Sequence, residues 1–197
     1  MKITDIILQG DVYASLETLE NNSISAAITS PPYWKQRDYG FEGQIGQEET
    51  PEGFIGHLLT IFSKLRDKLC ENGIFFLNIG DKYQNQYGKS HLLMIPYRLA
   101  YHMVKEGWIL VDIIIWHKPN HMPSSVKDRF SNTYEPVFVF ARNKNNIYQK
   151  NRGNLLKINL QQLKWKHTAA FPEKLIEELL KRLKLKDFDL ILDPFAG

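Results

Sequence analysis

The chain has 197 residues, 43% of them hydrophobic, which is enough for one well-packed domain and short for two. Cys70 is the only cysteine, so an internal disulfide and a cysteine-cluster metal site are excluded, and the apolar runs, such as residues 108–116, fall well short of the roughly 20 residues that span a bilayer. The net charge of +3 is modest but uneven: six basic residues (Lys144, Lys150, Arg152, Lys157, Lys164, Lys166) and no acidic one lie between 143 and 166, which leaves the rest of the chain at −3. Such a patch suits a polyanionic partner at one face, with a solvated lysine-rich loop as the open alternative. The first ten residues carry an aspartate and no small-residue cleavage site, so no signal peptide is expected and the cytoplasm is the expected compartment.

In chain order, residues 3–8 and 26–29 read as short strands. A helix is expected from Pro51, with Phe54, Ile55, Leu58, Leu59, Phe62, Leu65 and Leu69 on one face and Gly73 ending it. Residues 74–79 form a continuous apolar strand of the buried type. A helix over 91–106 stops at Gly107, and strands follow at 108–116 and 137–141. A helix over 172–183 opens on Pro172, and a last strand, 189–192, runs into Asp193-Pro194-Phe195-Ala196-Gly197. This alternation predicts an α/β fold, a doubly wound, mostly parallel sheet covered on both faces. Ligands of such sheets bind in the crevice at the carboxyl ends of the strands, where two motifs, 29–34 and 193–197, fall. The expected division is a catalytic core at 1–142, a recognition segment at 143–166 and a cofactor-binding part of the same core at 167–197.

Thr29-Ser30-Pro31-Pro32-Tyr33-Trp34 carries a specific chemistry. An exocyclic amine on cytosine or adenine is a poor nucleophile because its lone pair is delocalised into the ring. Two acceptors for its protons pull the nitrogen toward tetrahedral geometry and free that lone pair. Ser30 Oγ and the Pro31 carbonyl are candidates, and Pro31 and Pro32 stiffen the backbone that places them. Tyr33 offers a face for a base flipped from its duplex. A proline-rich turn with a buried aromatic is the structural alternative for an isolated Pro-Pro-Tyr.

The segment resembles the catalytic motif of the DNA amino-methyltransferases, Asp/Asn/Ser-Pro-Pro-Tyr/Phe, and the chain follows the permuted "beta" order of that family. Gly10-Asp11 comes first, then the catalytic motif, Asn78-Ile79-Gly80-Asp81, Trp116-His117-Lys118-Pro119, and Glu135-Pro136-Val137-Phe138-Val139-Phe140. A variable recognition segment follows, then His167-Thr168-Ala169-Ala170-Phe171-Pro172 and Asp193-Pro194-Phe195-Ala196-Gly197. The resemblance implies the Rossmann-like fold of S-adenosylmethionine-dependent methyltransferases, S-adenosyl-L-methionine as cofactor and double-stranded DNA as partner. It gives Ser30, Pro31, Pro32 and Tyr33 to the base. It gives Asp11, Thr29, Ala169, Phe171, Pro172, Asp193, Pro194, Phe195 and Gly197 to the cofactor, with Asp11 on its adenine side. DNA contacts are expected from Trp34 and Lys118 and from Lys144, Lys150, Arg152 and Lys157. The structural alternatives are a helix cap for Asp11, a core aromatic for Phe171 and a helix start for Pro172. His117 and His121 lack the companion spacing of a metal site, so no metal is expected, and Asn78 and Asp81 are equally substrate contacts or caps.

Family members continue beyond the start of the glycine loop into a helix and a strand with an acidic residue for the cofactor ribose. The chain reaches Gly197, inside that loop, and the expectation is weak cofactor binding by this stretch alone, with a second polypeptide or segment completing the site. The function expected is a cytosine-N4 DNA methyltransferase of a restriction–modification pair. The alternatives are transfer to adenine N6, RNA or a protein amide, and a non-catalytic DNA-binding subunit.

Overall fold

The computed structural model describes residues 6–86, 89–121, 129–149, 152–161, 171–187 and 189–196. Its elements are α1 (Val12–Thr18), β1 (Ile24–Thr29), α2 (Pro51–Lys68), β2 (Leu69–Asn78), β3 (Tyr83–Gln86), β4 (Lys89–Leu92), α3 (Ile95–Lys105), β5 (Ile109–His117), β6 (Tyr134–Ala141), β7 (Leu155–Lys157), α4 (Glu173–Leu180) and β8 (Leu190–Leu192).

Six strands form one sheet in the order β7-β5-β6-β2-β1-β8. Strand β1 runs parallel to β2 and β8, and β5 runs parallel to β7. Strand β6 is antiparallel to both of its neighbours. The expected mostly parallel sheet is therefore present, with one reversed strand at its centre. Successive residues of β1, β2 and β6 alternate between two apolar layers, which is the period-2 geometry of strands buried on both sides. Ala27, Phe75, Leu77, Phe138 and Phe140 face Leu16 of α1 and the apolar sides of α2 and α3. Ala26, Ile28, Ile74, Phe76, Val137 and Val139 face Leu175 and Leu179 of α4.

Helix α2 shows why its prediction from sequence succeeds. The Thr50 side chain caps it by accepting from Gly53 N at 3.1 Å, Pro51 sits in its first turn, and Arg66 and Lys68 lie in its last turn. Phe54, Ile55, Leu58, Ile61, Phe62 and Leu65 line the buried face at helical spacing. The helix ends at Lys68 rather than Gly73, because Asn22 and Ser23 donate to the Asp67 and Lys68 carbonyls and Leu69 already pairs with Ile24. Gly73 instead lies within β2, where an added Cβ would stand 3.0 Å from the Cys70 carbonyl oxygen.

Other expectations are corrected. Residues 6–8 form no strand, and Ile6 and Ile7 are exposed; residues 3–5 lie outside the described part. The helix expected over 91–106 starts at Ile95, because His91 and Leu92 pair with Gln84 and Tyr83 in the β3–β4 hairpin and Met94 adopts φ +57. Within the segment 143–166 the described residues supply β7, and Leu156 and Ile158 are buried; residues 150–151 and 162–166 lie outside the described part.

Candidate active site

The carboxyl ends of β1, β2, β5 and β8 and the amino end of reversed β6 lie along one edge of the sheet. Thr29 pairs with Leu77, Asn78 with Val137, and Trp116 with Glu135. Ser30, Tyr33, Asn78, Lys118, Glu135 and Asp193 therefore gather there, although Ser30 and Asp193 are far apart in the chain.

Ser30 follows β1 directly and its hydroxyl lies 3.2 Å from Tyr33 Oη. Pro31 is buried and Pro32 half-buried. The chain then turns back at Gly46, which has φ +95, and the Gly46 carbonyl accepts from Lys35 N at 2.7 Å. Tyr33 Oη lies 2.9 Å from Glu135 Oε2 and 3.3 Å from Asn78 Oδ1. A phenol has one proton, and the shorter bond to a charged acceptor takes it. In the Ser30–Tyr33 pair the serine is then the donor, and its lone pairs are left for another partner. Burial, then the nearby Glu135 carboxylate, pushes the Tyr33 phenol well above its ordinary range, so it stays protonated. The Tyr33 ring presses on Gly80, where an added Cβ would come within 2.5 Å of Cε2.

Glu135 anchors this group. Its Oε1 pairs with Lys118 Nζ, while Oε2 accepts from Tyr33 and from Asn78 Nδ2 at 3.1 Å. Asn78 Nδ2 also donates to the Pro136 carbonyl at 3.2 Å.

On the other side of β1, the Thr29 hydroxyl donates to Asp193 Oδ1 at 2.5 Å, and Phe195 N donates to the same oxygen at 2.9 Å. Burial raises the Asp193 carboxyl above its ordinary value, against the opposing effect of those two donors. Pro194 is half-buried and Phe195 packs against the α2–α3 layer. A carboxylate beside a buried hydroxyl, at the end of a parallel strand, suits a cationic amine such as that of a methionine moiety. The residues here thus fit the amino-acid end of S-adenosylmethionine.

A profile of the N6/N4 methyltransferase family, described as DNA methylase, matches residues 24–197. The chain belongs to this DNA methylase family. It is 70% identical over 191 residues to the type II methyltransferase M.MwoI of Methanothermobacter wolfeii, covering 97% of this chain and 28% of that protein. The chain thus spans under a third of that relative's length. The fold matches PvuII DNA methyltransferase (cytosine-N4-specific) with a TM-score of 0.77 at 24% identity, over 93% of this chain and 71% of that one. It also matches a "putative DNA modification methylase" of Thermus thermophilus, TTHA0409, complexed with S-adenosyl-L-methionine, with a TM-score of 0.67 at 23% identity, over 95% and 79% of the two chains.

The remaining sequence expectations divide. Asp11 caps α1, accepting from Ala14 N at 3.0 Å. Pro172 is the N-cap residue of α4, and Phe171 packs on the layer beneath that helix. These are the structural alternatives named for each. Ala169, Gly197 and Lys150 lie outside the described residues. Trp34 is corrected: it is only 7% exposed, sits in the core and donates from Nε1 to the Glu48 carbonyl at 2.9 Å, so it offers no surface to DNA. Lys118 lies within the site. Its side chain is 12% exposed, pairs with Glu135 and lies 4.7 Å from the Trp116 ring centre.

Lys144, Arg152 and Lys157 are exposed but not assembled on one face. Lys157 pairs with His117 at the site's edge of the sheet. Lys144 follows Ala141 at the far end of β6, roughly 20 Å from Glu135 at about 3.4 Å per residue. Arg152 precedes β7, toward that far end. Sequence reasoning quoted Glu135 only within a motif and gave it no role, and it left Asn78 between a substrate contact and a cap. The available signal was a glutamate and an asparagine at strand ends facing a crevice.

Proposed function

We propose that the protein methylates an exocyclic amine of double-stranded DNA, the N4 amine of cytosine, with S-adenosyl-L-methionine as donor, as the modification enzyme of a type II restriction–modification pair. The observation that carries this reading is Ser30 Oγ, held at the end of β1 with its proton committed to Tyr33. Its lone pairs are free to accept from one amine proton, and the Pro31 carbonyl accepts from the other. Together they localise the nitrogen lone pair, an interaction strongest as the nitrogen becomes tetrahedral. Tyr33, beside Ser30, is the surface on which a flipped base stacks. Asp193 and Thr29 hold the amino-acid end of the cofactor on the opposite side of β1. When bound, the cofactor would supply an electrophilic methyl on a sulfonium, and its transfer to the amine would release a neutral thioether and one amine proton.

Cytosine is preferred over adenine because a serine occupies position 30 and the PvuII enzyme, of similar fold, is cytosine-N4-specific. The name of M.MwoI supports the type II context. Mass spectrometry of nucleosides from DNA treated with the enzyme and deuterated-methyl cofactor is the test. N4-methylcytosine is expected. N6-methyladenine alone would overturn the base assignment, and unlabelled DNA would overturn the activity.

A further inference from the structure

The hydrogen-bond chain behind Ser30 has a direction, and that direction is imposed from its far end. An ionised carboxylate only accepts hydrogen bonds. Glu135 Oε2 therefore requires a proton from Tyr33 at 2.9 Å and another from Asn78 Nδ2 at 3.1 Å. Its Oε1 is taken by Lys118, which can only donate. With the single Tyr33 proton aimed at Glu135, the 3.2 Å contact to Ser30 forms only if Ser30 donates. A serine hydroxyl that donates inward can only accept on its outer side.

We propose that Glu135 is a positioning residue: through Tyr33 it fixes the Ser30 hydroxyl as an acceptor toward the amine. This rests on the reading of Ser30 as an amine acceptor. Lys118, held over the Trp116 ring, fixes which carboxylate oxygen remains for Tyr33.

The test is Glu135→Gln in the full-length protein. Lys118 keeps the amide oxygen, so the amide NH2 faces Tyr33 and the Tyr33 proton turns to Ser30 at 3.2 Å or to Asn78 Oδ1 at 3.3 Å; Ser30 is then no longer held as an acceptor toward the amine. We expect kcat to fall about a hundredfold, the scale of losing one pre-positioned hydrogen-bonding group, with cofactor Kd and KM for DNA nearly unchanged. In Lys118→Met, Glu135→Gln the amide is free to turn its oxygen to Tyr33, and a recovery of about tenfold in kcat is expected. In a Tyr33→Phe background, Glu135→Gln should add no further loss, because the link is already cut. An equal loss with and without the Tyr33 hydroxyl would show that Glu135 acts by another route and overturn the proposal. Should Glu135→Gln not fold, Tyr33→Phe alone decides: a wild-type kcat overturns the relay, and a hundredfold loss at unchanged cofactor affinity supports it. A wild-type enzyme that transfers no methyl to DNA sinks the functional reading itself, a separate outcome from an active enzyme indifferent to Glu135.

Discussion

Gly80→Ala asks how closely the site is fitted around Tyr33. Gly80 follows β2, and its Cβ position lies 2.5 Å from Tyr33 Cε2, 2.9 Å from Cδ2 and 3.4 Å from Cζ. Ordinary contacts begin near 3.4 Å, so the ring must retreat by about 1 Å. Its hydroxyl, at the end of the same rigid ring, moves with it, and a 2.9 Å bond to Glu135 stretched by about 1 Å is no longer a hydrogen bond. Misplacement of a catalytic group by about 1 Å costs on the order of a hundredfold in rate. The same overpacking costs about 1–3 kcal/mol of stability. Gly56, on α2 with nothing within 4 Å of its Cβ position, is the control. Gly56→Ala should stabilise the protein by about 0.5–1 kcal/mol and leave transfer unchanged. Single-turnover transfer of tritiated methyl groups to DNA gives the rate, and calorimetry gives cofactor affinity. A wild-type transfer rate in Gly80→Ala would refute the claim that the Tyr33 position governs the reaction.

Trp34→Phe should lower the thermal midpoint by removing the indole bond to the Glu48 carbonyl, while DNA affinity in a filter-binding assay stays the same; weakened DNA binding without destabilisation would return Trp34 to the interface. Burial raises the Asp193 carboxyl, so its ionisation costs stability, a cost that appears as pH rises from the ordinary 3.8 through its higher folded value. Asp193→Asn should therefore be more stable than wild type at neutral pH, converge with it in acid, and bind cofactor more weakly; thermal melts across pH and titration calorimetry check both signs, and a variant less stable at neutral pH contradicts this. Lys157→Ala should flatten the salt dependence of DNA binding by about one phosphate contact, whereas Lys144→Ala should not; equal effects would mean that DNA reaches both ends of the sheet.

What the sequence discloses here is mostly local. Thr50, Pro51 and the apolar spacing of α2 act within one helix, and the apolar runs of β1, β2 and β6 mark strands buried on two sides. The Ser30–Tyr33 motif was visible because its chemistry is confined to four adjacent residues. Glu135 gains its part only because β6 runs against its neighbours and brings its first residues beside the ends of β1 and β2. The same reversal carries Lys144 away from the site, which composition could not disclose. Strand β7 was hidden because three residues in a polar segment give too short an alternation to read. Trp34 was misjudged because adjacency to a motif says nothing about which way the next side chain points; the turn held by Gly46 sends it inward.

The central claim is that Ser30 accepts a hydrogen bond from the amine that becomes methylated. Single-turnover methyl transfer by Ser30→Ala, at saturating cofactor and DNA, tests it most directly. A rate roughly a hundredfold or more below wild type is expected, equivalent to about 3 kcal/mol of transition-state stabilisation, with cofactor affinity unchanged. A wild-type rate from Ser30→Ala would contradict it.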